Sequence, residues 1–223
     1  DLTVVDGSGA GGGVICSLDA DTLVEDNYLE AVSLHFSRNS SQAAVTAYAH
    51  QMPEESRLRD AICGYEIFLR SHVLGLRYAG SPYAFHAIGS TMACTTDGYV
   101  RVRGMNRRAA AEDFYFLGKL AKLGKIGVIG ETTVFPSPRL SERVPFGTGK
   151  TMMRSLEGSV DECRLYEPRI FRILENWLSG MNADPDRDAD AIMADAGRIS
   201  VRLAEYLYLN RFESVWRLIR RNC

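Results

Sequence analysis

Two carboxylate pairs carry most of the chemistry this sequence can offer. They are Asp19-Ala20-Asp21 and Glu112-Asp113, about ninety residues apart. The first pair ends a short apolar run, Val14-Ile15-Cys16-Ser17-Leu18. Residues i and i+2 of an extended chain point to the same side, so Asp19 and Asp21 can converge on one target. Hard oxygen donors suit a divalent cation, Mg²⁺ or Mn²⁺, which is commonly held by one or two carboxylates together with phosphate oxygens. The plainer alternative is that both are Asx residues of a turn and a helix N-cap. The second pair opens Ala111-Glu112-Asp113-Phe114, where the helix macrodipole alone favours acids. Its company sets it apart. A flexible basic loop, Gly104-Met105-Asn106-Arg107-Arg108, precedes it, and upstream lies Gly89-Ser90-Thr91-Met92-Ala93, small residues that let backbone approach a ligand closely.

The elements that must position these groups follow from periodicity. The run ending at Asp19 reads as a buried strand of a parallel sheet, with the carboxylates at its carboxyl end, where open α/β sheets bind ligands. Leu2-Thr3-Val4-Val5 is a second short strand closed by Asp6-Gly7-Ser8. Only the glycine-rich Gly7–Gly13 stretch separates the two strands, and a parallel crossover needs a dozen or more residues. Either they form an antiparallel hairpin, or residues are absent between Gly7 and Val14, and the second is expected. The GxGxxG pattern at Gly7 to Gly12 lacks the helix that a dinucleotide site requires. Helical spacing covers Glu25 to Arg38, Glu54 to Tyr78 and Ala109 to Leu123; Ala43 to Ala49 and Ile126 to Ile129 read as strands. Tyr83 to Cys94 is expected to be extended, and Asp97 to Arg101 to be a helical turn. Thr132 to Gly149, with its prolines, reads as loop. From Cys163 onward the spacing is helical, interrupted at Gly180 and at Asp184-Pro185-Asp186-Arg187-Asp188.

The bulk properties exclude several classes. The net charge of −2 gives no basic field for nucleic acid. No apolar run approaches the roughly 20 residues of a membrane span. The five cysteines (Cys16, Cys63, Cys94, Cys163, Cys223) are scattered without CxxC spacing, as expected of free thiols in a reducing, cytoplasmic setting rather than of a disulfide or zinc framework.

In order, a strand ending Asp-Gly-Ser, a strand ending Asp-x-Asp, a Gly-Ser segment and a Glu-Asp helix resemble glycosyltransferase family 2. The resemblance spans roughly Leu2 to Gly149. It implies an α/β fold of the GT-A type, a mixed sheet flanked by helices, over 1–150, with a helical C-terminal extension over 151–223. It further implies transfer of a sugar from a nucleotide-diphosphate donor to an acceptor hydroxyl, small-molecule or lipid-linked, with inversion. Asp6 matches the family aspartate near the nucleobase. Asp19 and Asp21 match the metal and diphosphate ligands, with Asp21 the more direct metal ligand. Gly89 and Ser90 match the donor-sugar and acceptor pocket, Asp113 the general base, and Glu112 its neighbour. The family's first strand, and the longer segment between its next two strands, have no counterpart here, so residues are also expected to precede Asp1.

Ser137 to Lys150 follows the last expected strand, and its Arg139, Arg143 and Lys150 suit diphosphate oxygens. The competing view is ordinary surface charge. All four histidines lie before Glu112, which leaves no late metal-binding histidine; His86, three residues before Gly89, is the one that could face the pocket. A haloacid-dehalogenase-type phosphatase would also use Asp19 and Asp21, but it expects Thr where Leu23 stands. A non-catalytic nucleotide-sugar-binding module is a further alternative. At the C-terminus, Tyr206, Leu207, Leu209, Phe212, Val215, Trp216, Leu218 and Ile219 lie beside Arg211, Arg217, Arg220 and Arg221. Such a set packs on the catalytic domain or on a second subunit, or rests on a membrane surface.

Overall fold

The computed structural model describes residues 2–5 as backbone, and 12–105, 111–140, 147–158 and 164–222 in full. Asp6 and Arg143 therefore lie outside the described residues. The chain divides into two compact units, Asp1–Ser71 with Phe85–Leu165, and His72–Ala84 with Tyr166–Cys223.

The first unit is built on a mixed six-stranded sheet. Its strands are β1 (Leu2–Val5), β2 (Val14–Ser17), β3 (Leu23–Val24), β4 (Ala43–Tyr48), β5 (Met92–Thr95) and β6 (Gly127–Phe135), in the order β1-β2-β5-β4-β6-β3. The expected parallel setting of β2 is corrected: β2 pairs antiparallel with both β1 and β5. β1 and β2 pair from Leu2↔Ser17 to Val5↔Val14, the hairpin alternative, which needs no crossover between them. The parallel pair is β4 with β6.

Alternation of side chains sends successive residues of each strand to opposite faces. On one face Val14, Cys16, Ala44, Tyr48 and Ala93 pack with Tyr28, Ala31 and Val32 of α1 (Tyr28–Arg38). On the other, Ala43, Val45, Met92 and Cys94 pack with Phe116, Leu117 and Leu120 of α4 (Glu112–Leu120). Both faces are thus covered by helix, which is why the β4 pattern is almost continuously apolar. The neighbouring elements are α2 (Ser56–Tyr78), whose residues fall in both units, α3 (Thr96–Arg101) and α5 (Thr148–Leu156). Thr95 caps α3 by accepting from the Gly98 N–H at 2.9 Å.

Three boundaries differ from the sequence reading. β6 runs on to Phe135, through residues expected to be loop, because the buried Thr132 and Val134 alternate with the half-buried Thr133 and Phe135. The two-residue β3 pairs with its end. Tyr83 to Cys94 is not one extended stretch: a 3-10 turn at Gly89–Thr91 precedes β5.

The second unit contains α6 (Pro168–Ala183), α7 (Ala189–Ile199), α8 (Val201–Leu209) and α9 (Phe212–Asn222). Gly180 lies inside α6 and does not break it; the acidic stretch after Ala183 does, with Asp188 capping α7 by accepting from the Ala191 N–H at 2.7 Å. Phe212 stacks on Trp216 and meets Trp177 edge-on, both at 5.7 Å between ring centres. Arg217 and Arg220 pair with Asp190 and Asp186, at 2.9 and 2.5 Å. Two of the arginines beside the apolar face of α9 are therefore spent within the unit. No described helix is long and apolar enough to cross a membrane.

Candidate functional site

Strand directions assemble one edge of the first unit. β2 and β4 both run antiparallel to β5 and so share a direction, and β6 runs parallel to β4. The carboxyl ends of β2, β4 and β6 and the start of β5 therefore lie along one edge, the place where α/β sheets bind ligands. β2 delivers Asp19 and Asp21 there, the turn before β5 delivers Gly89 and Ser90, β4 delivers His50 and Gln51, and β6 leads into Arg139.

Asp19 is held by Ser90. The fully buried Ser90 hydroxyl donates to Asp19 Oδ2 at 2.7 Å and accepts from the Thr22 hydroxyl at 2.8 Å and the Asp19 N–H at 3.3 Å. The turn is closed by the Thr22 N–H donating to the Asp19 carbonyl at 3.0 Å. A Cβ on Gly89 would come within 3.9 Å of Asp19 Oδ2, so the glycine lines the same carboxylate. Asp21 takes a different partner: Arg139 Nε lies 2.9 Å from its Oδ2. The Gln51 side-chain amide donates to the backbone carbonyls of Asp21 (2.9 Å) and Phe135 (2.7 Å), and so ties the Asp21 turn to the end of β6.

The second carboxylate pair heads α4. Ala111 sits in the left-handed region (φ 57°) and offers no capping side chain. The Asp113 carboxylate instead accepts the Phe114 N–H at 2.6 Å. Such backbone strain concentrates at functional positions. Burial pushes Asp113 above the ordinary carboxylate range, and the charges of Glu112 and Asp19 push it further, against the hydrogen bond from Phe114. Asp19 is thus near enough to act electrostatically on Asp113, as the smallest of these influences. Behind them Lys119 donates to the Val102 and Gly104 carbonyls at 2.9 and 2.5 Å, fixing the start of the loop that leads to α4.

The sequence reading did not single out a polar cluster around the buried His50 at the end of β4. His50 donates through Nδ1 to Glu66 Oε1 at 2.9 Å, and its Nε2 lies 3.4 Å from the Thr148 hydroxyl at the start of α5. Arg70 holds the other Glu66 oxygen at 2.9 Å, donates to the Tyr48 carbonyl at 2.8 Å, and lies over the Tyr48 ring. Burial works to raise Glu66, but these donors outweigh it and bring the carboxyl down to about 2. His86 packs edge-on against the same Tyr48 ring, with Nδ1 3.4 Å from its hydroxyl. Two signals pointed here: His50-Gln51 directly follows a strand, and Glu66 and Arg70 are four apart on a helix.

Among the described residues no group of three or more His, Cys, Asp or Glu side chains is placed to hold a metal ion. Asp19 and Asp21 are a two-carboxylate donor set, which suits an ion that completes its shell with phosphate oxygens and water. No protein-family model matches the chain, and comparison with curated proteins and with solved structures returns no match.

Proposed function

We propose that this chain is a nucleotide-sugar-dependent glycosyltransferase of GT-A-like architecture. The observation that supports the reading is that Asp19, held by Ser90 past the end of β2, lies close enough to Asp113 for its charge to add to the burial that raises the proton affinity of Asp113. Diphosphate binding and proton abstraction need such separate acidic groups side by side.

A sugar hydroxyl is a poor nucleophile and needs a positioned base. Asp113 takes the proton from the acceptor hydroxyl as its oxygen attacks the anomeric carbon. A raised carboxyl is better matched to that task than an ordinary one. Bond formation on the face opposite the leaving diphosphate inverts the anomeric centre. Glu112 keeps Asp113 basic through its charge. Asp19 and Asp21 are the residues that would hold a divalent ion, Mg²⁺ or Mn²⁺, which when bound would neutralise charge on the departing diphosphate. Ser90 fixes the Asp19 rotamer, and Gly89 leaves room beside it.

The test is a thermal-shift panel of UDP, GDP, CDP and ADP, each with and without Mn²⁺, on the wild type and on Asp21→Ala. Ligand at about 100 times its dissociation constant adds roughly 2.7 kcal/mol of stability. One nucleotide shifting the wild type, with the shift lost in Asp21→Ala, is the expected result. No shift with any nucleotide sinks the reading. Phosphatase activity abolished by Asp19→Asn would replace it.

A further inference from the structure

The edge that presents Asp21 also presents a cation to it, and that cation belongs to the chain. Arg139 Nε lies 2.9 Å from Asp21 Oδ2, with the arginine 61% and the aspartate 31% exposed. An ion pair this exposed is weak when it rests on the two side chains alone. Here the backbone beneath it is fixed. The Gln51 amide uses both of its protons, one on the Asp21 carbonyl and one on the Phe135 carbonyl. The Gln51 N–H donates to the Pro136 carbonyl at 3.0 Å, so the segment leading to Arg139 is pinned at its root. Asp19, two residues away on the same turn, is turned to Ser90. The two carboxylates of the pair are thus not equivalent: Asp19 is held by a neutral hydroxyl and Asp21 by a positive charge.

We propose that Arg139 is an exchangeable counter-cation of Asp21. In the free protein it neutralises Asp21; when a divalent ion takes Asp21, the guanidinium is released to the diphosphate oxygens beside it. A guanidinium suits both partners, because its fork of donors matches carboxylate and phosphate alike. The exchange has a consequence that a purely structural arginine lacks: its effects on the two ligands have opposite signs. Arg139 competes with the metal for Asp21 and cooperates with the diphosphate. The inference rests on the diphosphate reading of the site.

The experiment measures two affinities separately, with no turnover involved. Mn²⁺ alone is titrated by the loss of the free-ion paramagnetic resonance signal, and inorganic pyrophosphate is titrated by calorimetry in the presence of chelator. Arg139→Ala is expected to bind Mn²⁺ about two- to fivefold more tightly, the range an exposed ion pair withholds. It is expected to bind pyrophosphate about tenfold more weakly, as befits loss of a charge-assisted bond. Arg139→Lys keeps the charge without the fork and should fall between. In an Asp21→Asn background, removing Arg139 should leave Mn²⁺ affinity unchanged, which separates direct competition from a general loss of positive charge. Arg139→Ala weakening both ligands, or changing neither, overturns the exchange while leaving the diphosphate site standing. A wild type that binds neither pyrophosphate nor any nucleotide overturns the diphosphate reading, and the exchange with it.

Discussion

His50 gives both its backbone N–H and its ring Nδ1–H to a single oxygen of Glu66, at 2.6 and 2.9 Å. The other oxygen of that carboxylate is taken by Arg70. The histidine is buried, so the arrangement fixes the chain at the end of β4, one residue before Gln51. Glu66→Gln keeps the shape and removes the charge, and should cost about 2 kcal/mol at pH 7, the scale of charge-assisted hydrogen bonds. The sign of its pH dependence follows from Glu66 being brought down from 4.5 to about 2. A depressed carboxyl contributes its full stability above the unfolded value and loses it as pH falls toward the folded value. Urea unfolding of wild type and Glu66→Gln should therefore differ at pH 7, with the gap closing between pH 4.5 and 2. A gap that persists at the acid end would contradict the ionised pair.

The neighbours Gly89 and Ser90 should respond in opposite ways. Ser90→Ala leaves Asp19 Oδ2 and the Thr22 hydroxyl without the group that joins them, at a buried position. A loss of about 1–2 kcal/mol is expected in thermal unfolding, together with a smaller nucleotide-induced shift. Gly89→Ala places its new methyl in ordinary contact, 3.9 Å from Asp19 Oδ2. It should stay within about 0.5 kcal/mol of the wild type. Any effect it has should appear in ligand binding, because the methyl narrows the space beside Asp19.

These residues show what could be read from the chain alone. An apolar run ending in Asp-x-Asp marks a strand end, so the position of Asp19 and Asp21 just past β2 was legible without a fold. Gly89-Ser90 stood out only as small residues; that Ser90 locks Asp19 depends on pairing β2 with β5 across more than seventy positions. The antiparallel hairpin of β1 and β2 was one of two readings and the less expected one, because the local pattern sets a strand but not its neighbour. The expected strand stops short of β6 because the prolines and glycines of Thr132 to Gly149 signal loop, although Thr132-Thr133-Val134-Phe135 is strand-like by side-chain type. The His50–Glu66 link joins two elements through a contact that no spacing rule reports.

The cysteines give a test of the core that is independent of function. Cys16 and Cys94 stand on adjacent strands and are both buried, on opposite faces of the sheet. Burial pushes the Cys94 thiol up to about 12 and raises Cys16 as well. Cys63, on α2, is exposed. Thiolate is the reactive species, so iodoacetamide at pH 8 should label Cys63 in minutes and leave Cys16 and Cys94 unmodified until urea is added. Peptide mass spectrometry reads each site separately. Early labelling of Cys16 would mean that the face covered by α1 is open.

Asp113 links the chemistry to stability through one charge. Burial raises its proton affinity above the ordinary 3.8, and the charges of Glu112 and Asp19 add to this. A raised carboxyl favours folding when protonated, and that contribution is lost as pH rises through the folded value. At pH 7 the ionised Asp113 is therefore a cost to the folded state, one that the proposed reaction would require. Asp113→Asn should lower sugar transfer by about 10²–10⁴, the usual worth of a general base. It should leave the nucleotide-induced shift intact and make the protein more stable than wild type at pH 7. That gain should disappear below pH 3.8, where the wild-type carboxyl is protonated whether folded or unfolded. Glu112→Gln removes one of the charges and should move the acid limb of the wild-type rate profile to lower pH, without abolishing transfer. An Asp113→Asn variant with full activity would remove Asp113 from the reaction. One no more stable than wild type at neutral pH would mean that its carboxylate is solvated well enough to ionise at an ordinary pH.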